Sequence, residues 1–79
     1  RVEVEKMIAT GRIDMVVETI HIIYVLELKL SNNGGIDAAA EQIRSRQYAE
    51  PFKADKRRVV ALAIELDDKG KGLIDWKEV

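Results

Sequence analysis

Asp14, Glu27 and Lys29 are the residues whose types and spacing could do chemistry together. Side chains alternate across a strand, so Glu27 and Lys29 share one face of any strand that carries them. A tight turn centred between Ile20 and His21 sets a hairpin in which facing residue numbers add to 41, although Ile-His is a poor two-residue turn sequence. Asp14 then stands opposite Glu27. Facing Cβ atoms in a hairpin lie about 4.5–5.5 Å apart, and like charges at that spacing are destabilising. Two carboxylates converging at the end of an apolar strand need a cation. Lys29 could serve, or a divalent ion with oxygen ligands. Asp14 and Lys29 could also form an ordinary ion pair at a solvated strand end.

The elements that must position these residues follow from the hydropathy pattern. Val2–Ile8 and Arg12–Glu18 read as strands with a break at Gly11. His21–Leu30 is a third strand, and Ile22 to Leu26 is apolar on both faces, which predicts a central strand in a sheet covered on two sides. Ser31–Gly35 is a loop and cap segment. The spacing of Ile36, Ala39, Ala40 and Ile43 predicts a helix over Ile36–Glu50, stopped by Pro51. The Ala38–Ala40 run suits a close helix–sheet contact. Arg57–Leu66 is a fourth strand, again apolar on both faces. A turn at Asp67–Gly72 leads to a last strand, Leu73–Val79, with Ile74 and Trp76 on one side as core or interface. The order is β-β-β-α-β-β, an α/β fold with a mixed sheet.

A chain of 79 residues forms one domain, residues 1–79, and buries roughly 60% of its unfolded surface. Apolar residues at 47% and charged residues at 34% suit a globular protein. Thirteen Lys and Arg against fourteen Asp and Glu exclude a strongly basic, histone-like binder. The segment Gln42–Arg58 nonetheless holds Arg44, Arg46, Lys53, Lys56, Arg57 and Arg58 against Glu50 and Asp55. Such a tract could follow a nucleic-acid backbone or be a solvated surface. The absence of cysteine excludes disulfides, a thiol nucleophile and Cys-based zinc sites. The lone His21 falls at the proposed turn. Asp67–Glu78 has the outline of an EF-hand loop, but Lys69 and Lys71 stand where calcium needs oxygen ligands. No apolar run is long enough for a membrane helix and no signal peptide is evident, so the expected setting is soluble and cytoplasmic. The strand-like start at Arg1 suggests a piece of a longer protein, whose exposed strand edges could pair in a homodimer.

In order, Gly11-Arg12-Ile13-Asp14, Glu27-Leu28-Lys29, Gln42-Ile43, Tyr48-Ala49-Glu50-Pro51-Phe52 and Asp75-Trp76-Lys77 span most of the chain. The series resembles the PD-(D/E)XK nuclease superfamily, in particular the bacterial branch usually found behind an AAA-ATPase-like domain. The resemblance implies a restriction-endonuclease-like core and metal-dependent hydrolysis of DNA. By it, Asp14, Glu27 and the Leu28 carbonyl would hold Mg²⁺ or Mn²⁺, which would polarise the scissile phosphate and acidify an attacking water. Lys29 would orient that water or stabilise charge growing on the phosphorane. Gln42 would position the metal-site residues or a phosphate oxygen. Apart from the resemblance, Arg44, Arg46, Lys53 and Arg57 of the basic tract are the candidates for contact with nucleic acid. Ile13 stands where the motif's name has proline, and the helix that normally precedes the first strand falls before Arg1. Related nucleases place a helical Gln and Tyr four apart. Gln42 and Tyr48 are six apart, about 240° around a helix, so Tyr48 is expected to pack at the helix end. The alternatives are a non-catalytic module binding nucleic acid or a protein partner for the upstream ATPase, and a structural domain with an ion-pair cluster.

Overall fold

The alternating segments fold into Val2–Ile8 (β1), Gly11–Glu18 (β2) and Ile22–Leu30 (β3) in the computed structural model, which describes residues 1–79. A 3-10 turn at Ser31–Asn33 leads into the helix Gly35–Ser45 (α1), and a second at Glu50–Phe52 precedes Arg58–Leu66 (β4) and Leu73–Glu78 (β5). The strands form one mixed sheet in the order β1-β2-β3-β4-β5. Only β3 and β4 pair in parallel. A parallel pair needs a crossover, and α1 supplies it, packing on β3 and β4.

The β2–β3 register runs from Met15 facing Leu26 to Glu18 facing Ile23, as the apolar pattern requires. Thr19 compensates for the poor turn pair. Its backbone N–H donates to the Ile22 carbonyl at 2.8 Å, and its hydroxyl accepts from the Ile22 N–H at 2.9 Å. Exposed His21 sits in this turn. The Arg57 guanidinium then ties the turn to the β4 approach, donating to the Thr19 carbonyl at 3.1 Å, Glu18 at 2.7 Å and Asp55 at 2.8 Å.

The core joins Ile23 and Val25 of β3, Ala61 and Ala63 of β4, and Ala39, Ala40 and Ile43 of α1. Alanines on both sides allow the close helix–sheet approach expected of the Ala38–Ala40 run. Coverage is one-sided, however. Leu26, Leu28, Leu62 and Ile64, on the face away from α1, are only partly buried, which corrects the expectation of a sheet covered on two sides. Trp76 is 59% exposed and Ile74 is also exposed, so neither joins the core.

The helix ends five residues earlier than its pattern suggests, at Ser45 rather than Glu50. Gln47 takes the left-handed conformation at φ 51°, and the Gln47 and Tyr48 N–H groups donate to the Arg44 and Ile43 carbonyls at 3.2 Å each. These are the paired bonds of a Schellman ending, with glutamine where glycine is usual. Pro51 belongs to the separate 3-10 turn.

At the other end of α1, Glu65 of β4 accepts hydrogen bonds from the Ser31 hydroxyl at 2.7 Å and the Ile36 N–H at 2.9 Å. Those two bonds hold its carboxyl below the usual range, and a carboxylate here also complements the helix dipole. Gly35, at φ 59°, makes room: a Cβ there would lie 2.5 Å from Glu65 Oε1. Gly35→Ala is expected to lower the unfolding free energy in urea by about 1–3 kcal/mol, from backbone strain and displaced Glu65. The cost should shrink in a Glu65→Ala background, where the clashing atoms are gone.

Candidate active site

Asp14 lies where two strand ladders let go. The β1–β2 register holds from Val2 facing Val17 to Val4 facing Met15 and resumes with Lys6 facing Ile13. The skipped position is Glu5 against Asp14, and Glu5 has φ 54°. The β2–β3 ladder also stops at Met15 facing Leu26. Ile13 and Val16, three residues apart, both enter the core, so alternation breaks across Asp14. An irregularity of this kind re-aims a side chain. Asp14 Oδ2 accepts the Leu28 N–H at 2.9 Å, which brings its carboxylate beside Glu27.

Glu27 is 2% exposed, and its Oε1 has no hydrogen-bond partner. Its Oε2 lies 4.0 Å from Lys29 Nζ. Burial, followed by the like charge of Asp14, pushes the Glu27 carboxyl up to about 7, with Lys29 acting more weakly in the opposite direction. Asp14 and Lys29 do not pair; the lysine's nearest carboxylate partner is Glu27. A single distant ammonium leaves one buried acceptor unsatisfied, and such an oxygen carries a desolvation penalty with nothing to offset it.

Asp14, Glu27, Leu28, Lys29 and Gln42 line one cavity of about 480 Å³, together with Arg12, Asn33, Arg46 and Tyr48. The structure thus brings together the acidic pair, the lysine and the helical glutamine named from the sequence. Tyr48 corrects the reading. It is wholly buried in the core, as expected of a packing residue, but its hydroxyl also accepts from Gln42 Nε2 at 2.9 Å inside the cavity. The angular argument assumed a helix running through Tyr48. The left-handed turn at Gln47 brings the side chain back instead, and the presence of both Gln and Tyr was the signal that could have found it.

The basic tract does not stay together. Arg46 lines the cavity, with Nη1 3.4 Å from the Thr10 carbonyl. Arg44 and Lys53 border a separate depression of about 230 Å³, where Lys53 pairs with Glu50 at 2.9 Å. Arg57 is committed to Asp55, Glu18 and Thr19. Arg12, outside the tract, joins Arg46 at the cavity.

No group of three or more His, Cys, Asp or Glu side chains converges anywhere in the chain. A hard cation would therefore rest on two carboxylates, Asp14 and Glu27, with the Leu28 carbonyl and solvent completing an oxygen set. The buried Oε1 of Glu27 fits that role as an oxygen donor that has no hydrogen-bond partner within the protein.

A family model described as the PD-(D/E)XK nuclease superfamily matches residues 1–76. No curated protein and no solved structure matches the chain.

The Glu27 environment has a consequence for stability. Its folded-state pKa of about 7 lies above the value of an unfolded glutamate, so between the two the folded state holds a proton the unfolded state has lost. Stability should fall as pH rises through this window and level off above it. Measured by urea unfolding at pH 4.5 and pH 8, wild type should lose about 3 kcal/mol relative to Glu27→Gln.

Proposed function

The chain belongs to the PD-(D/E)XK nuclease superfamily, and on that premise we propose that it is a divalent-cation-dependent phosphodiesterase acting on DNA. The observation that carries the reading is the buried, unpartnered Glu27 oxygen beside Asp14, inside a cavity that also holds a lysine. Asp14, Glu27 and the Leu28 carbonyl would hold Mg²⁺ or Mn²⁺. When bound, the ion supplies Lewis acidity at a phosphate oxygen and a water of lowered pKa. Lys29, on the same strand face as Glu27, stabilises negative charge developing on the phosphate oxygens. Gln42, fixed by Tyr48, positions a hydrogen bond at the reacting centre. The resemblance to the bacterial branch adds a cytoplasmic setting and an AAA-ATPase-like domain in the parent chain.

Glu27 keeps its proton up to about pH 7, so cation binding below that pH must displace it. Calorimetry with Mn²⁺ or Mg²⁺ should show affinity rising from pH 6 to pH 8, with proton release at the lower pH. Asp14→Ala and Glu27→Ala should each abolish binding. Lys29→Ala should keep metal binding while losing on the order of 10²-fold or more in cleavage rate. Absence of metal binding by a folded wild type would overturn the proposal and favour a non-catalytic binding module.

A further inference from the structure

We propose that Arg12 and Arg46 form a second anion subsite in the cavity, built to hold a phosphodiester that flanks the scissile one. The inference rests on the proposed phosphodiesterase reading and deepens it by specifying the substrate: a strand with at least two successive phosphates.

The two arginines come from distant parts of the chain, Arg12 from β2 two residues before Asp14 and Arg46 just past the end of α1, yet they line the same cavity. Neither is neutralised by the acidic pair. Arg12 has one loose contact, Nη1 to Glu5 Oε1 at 3.5 Å, with side chains 56% and 68% exposed, a geometry worth little in water. Arg46 makes no salt bridge; its guanidinium rests on the Thr10 carbonyl at 3.4 Å, and the Thr10 hydroxyl donates to the Arg46 carbonyl. The arginine is thus tied to the β1–β2 turn through both its backbone and its side chain, which lowers the entropy cost of holding an anion.

Gly11 makes this placement feasible. A Cβ at Gly11 would lie 2.8 Å from Arg46 Nη1 and 3.3 Å from the Tyr48 hydroxyl. The glycine between Thr10 and Arg12 is therefore the floor on which Arg46 lies. Planar guanidinium groups suit phosphate oxygens. With Lys29 near Glu27 and Asp14 held on the Leu28 N–H, Arg12 and Arg46 are the cavity's cations left for a second phosphate.

The test is metal-free. Binding of a fluorescein-labelled 12-nucleotide DNA strand in EDTA is followed by anisotropy as salt is raised. The slope of log affinity against log salt should become shallower by about 0.7 in Arg12→Ala and again in Arg46→Ala, as expected for one lost phosphate contact each. Arg58→Ala should leave the slope unchanged, since Arg58 pairs with Glu78 and is not a lining residue. Gly11→Ala leaves every charge in place and displaces only the end of the Arg46 side chain, so it should weaken binding less than Arg46→Ala and leave the salt slope near that of wild type, with urea midpoints confirming that the variants are folded. Slopes in both arginine variants equal to that of Arg58→Ala would overturn the subsite. Because no metal is present, loss of cleavage or of metal binding tests the catalytic reading separately.

Discussion

A carboxylate that is 2% exposed and lacks a partner for one oxygen is the constraint around which this small fold is arranged. Glu27 sits on the central strand, where β3 pairs with β2 on one side and β4 on the other, and it faces Ala63 across the parallel register. Small residues on β4 let α1 pack closely onto that face, and Glu27 lies at the border between this core and the cavity. The same packing that makes the core dry makes the charge costly. Asp14 deepens the problem rather than relieving it, since it spends one oxygen on the Leu28 N–H and adds a second negative charge nearby. A cation held by both carboxylates would offset that repulsion, which is the basis of the metal-dependent reading proposed above.

Local irregularities aim the remaining groups. The break at Glu5 and Asp14 releases one carboxylate from its ladder. The left-handed Gln47 reverses the chain so that Tyr48 reaches Gln42. Glu65 fixes the start of α1, the helix that carries Gln42. The first two devices depart from regular strand or helix geometry beside residues that line the cavity, Asp14 and Tyr48, as expected where function is placed on an otherwise consistent fold.

The sheet and its central register were legible because Met15–Glu18 and Ile23–Leu26 must keep their apolar faces aligned, and a slip of one residue would invert them. That register was enough to bring Asp14 towards Glu27. Other features depended on contacts remote in sequence. The Glu65 cap bridges 29 residues to reach Ile36, and no local pattern announces it. The helix end was hidden because glutamine, not glycine, occupies the left-handed position, while Pro51 offered a more obvious but later stop. The basic tract was contiguous only along the chain; the turn after α1 distributes its members to different places. Two-faced apolarity on β3 and β4 suggested cover on both sides, yet one helix covers one face.

The claim that everything else leans on is the charge state of one buried side chain. Carbon-13 NMR of the Glu27 carboxyl, titrated with pH in the absence and presence of saturating Mg²⁺, reads it directly. The structure calls for a midpoint near 7 without metal, displaced downward by more than about one unit when the ion binds. A midpoint near that of a solvated glutamate, unmoved by Mg²⁺, would contradict both the burial of the charge and its role as a ligand.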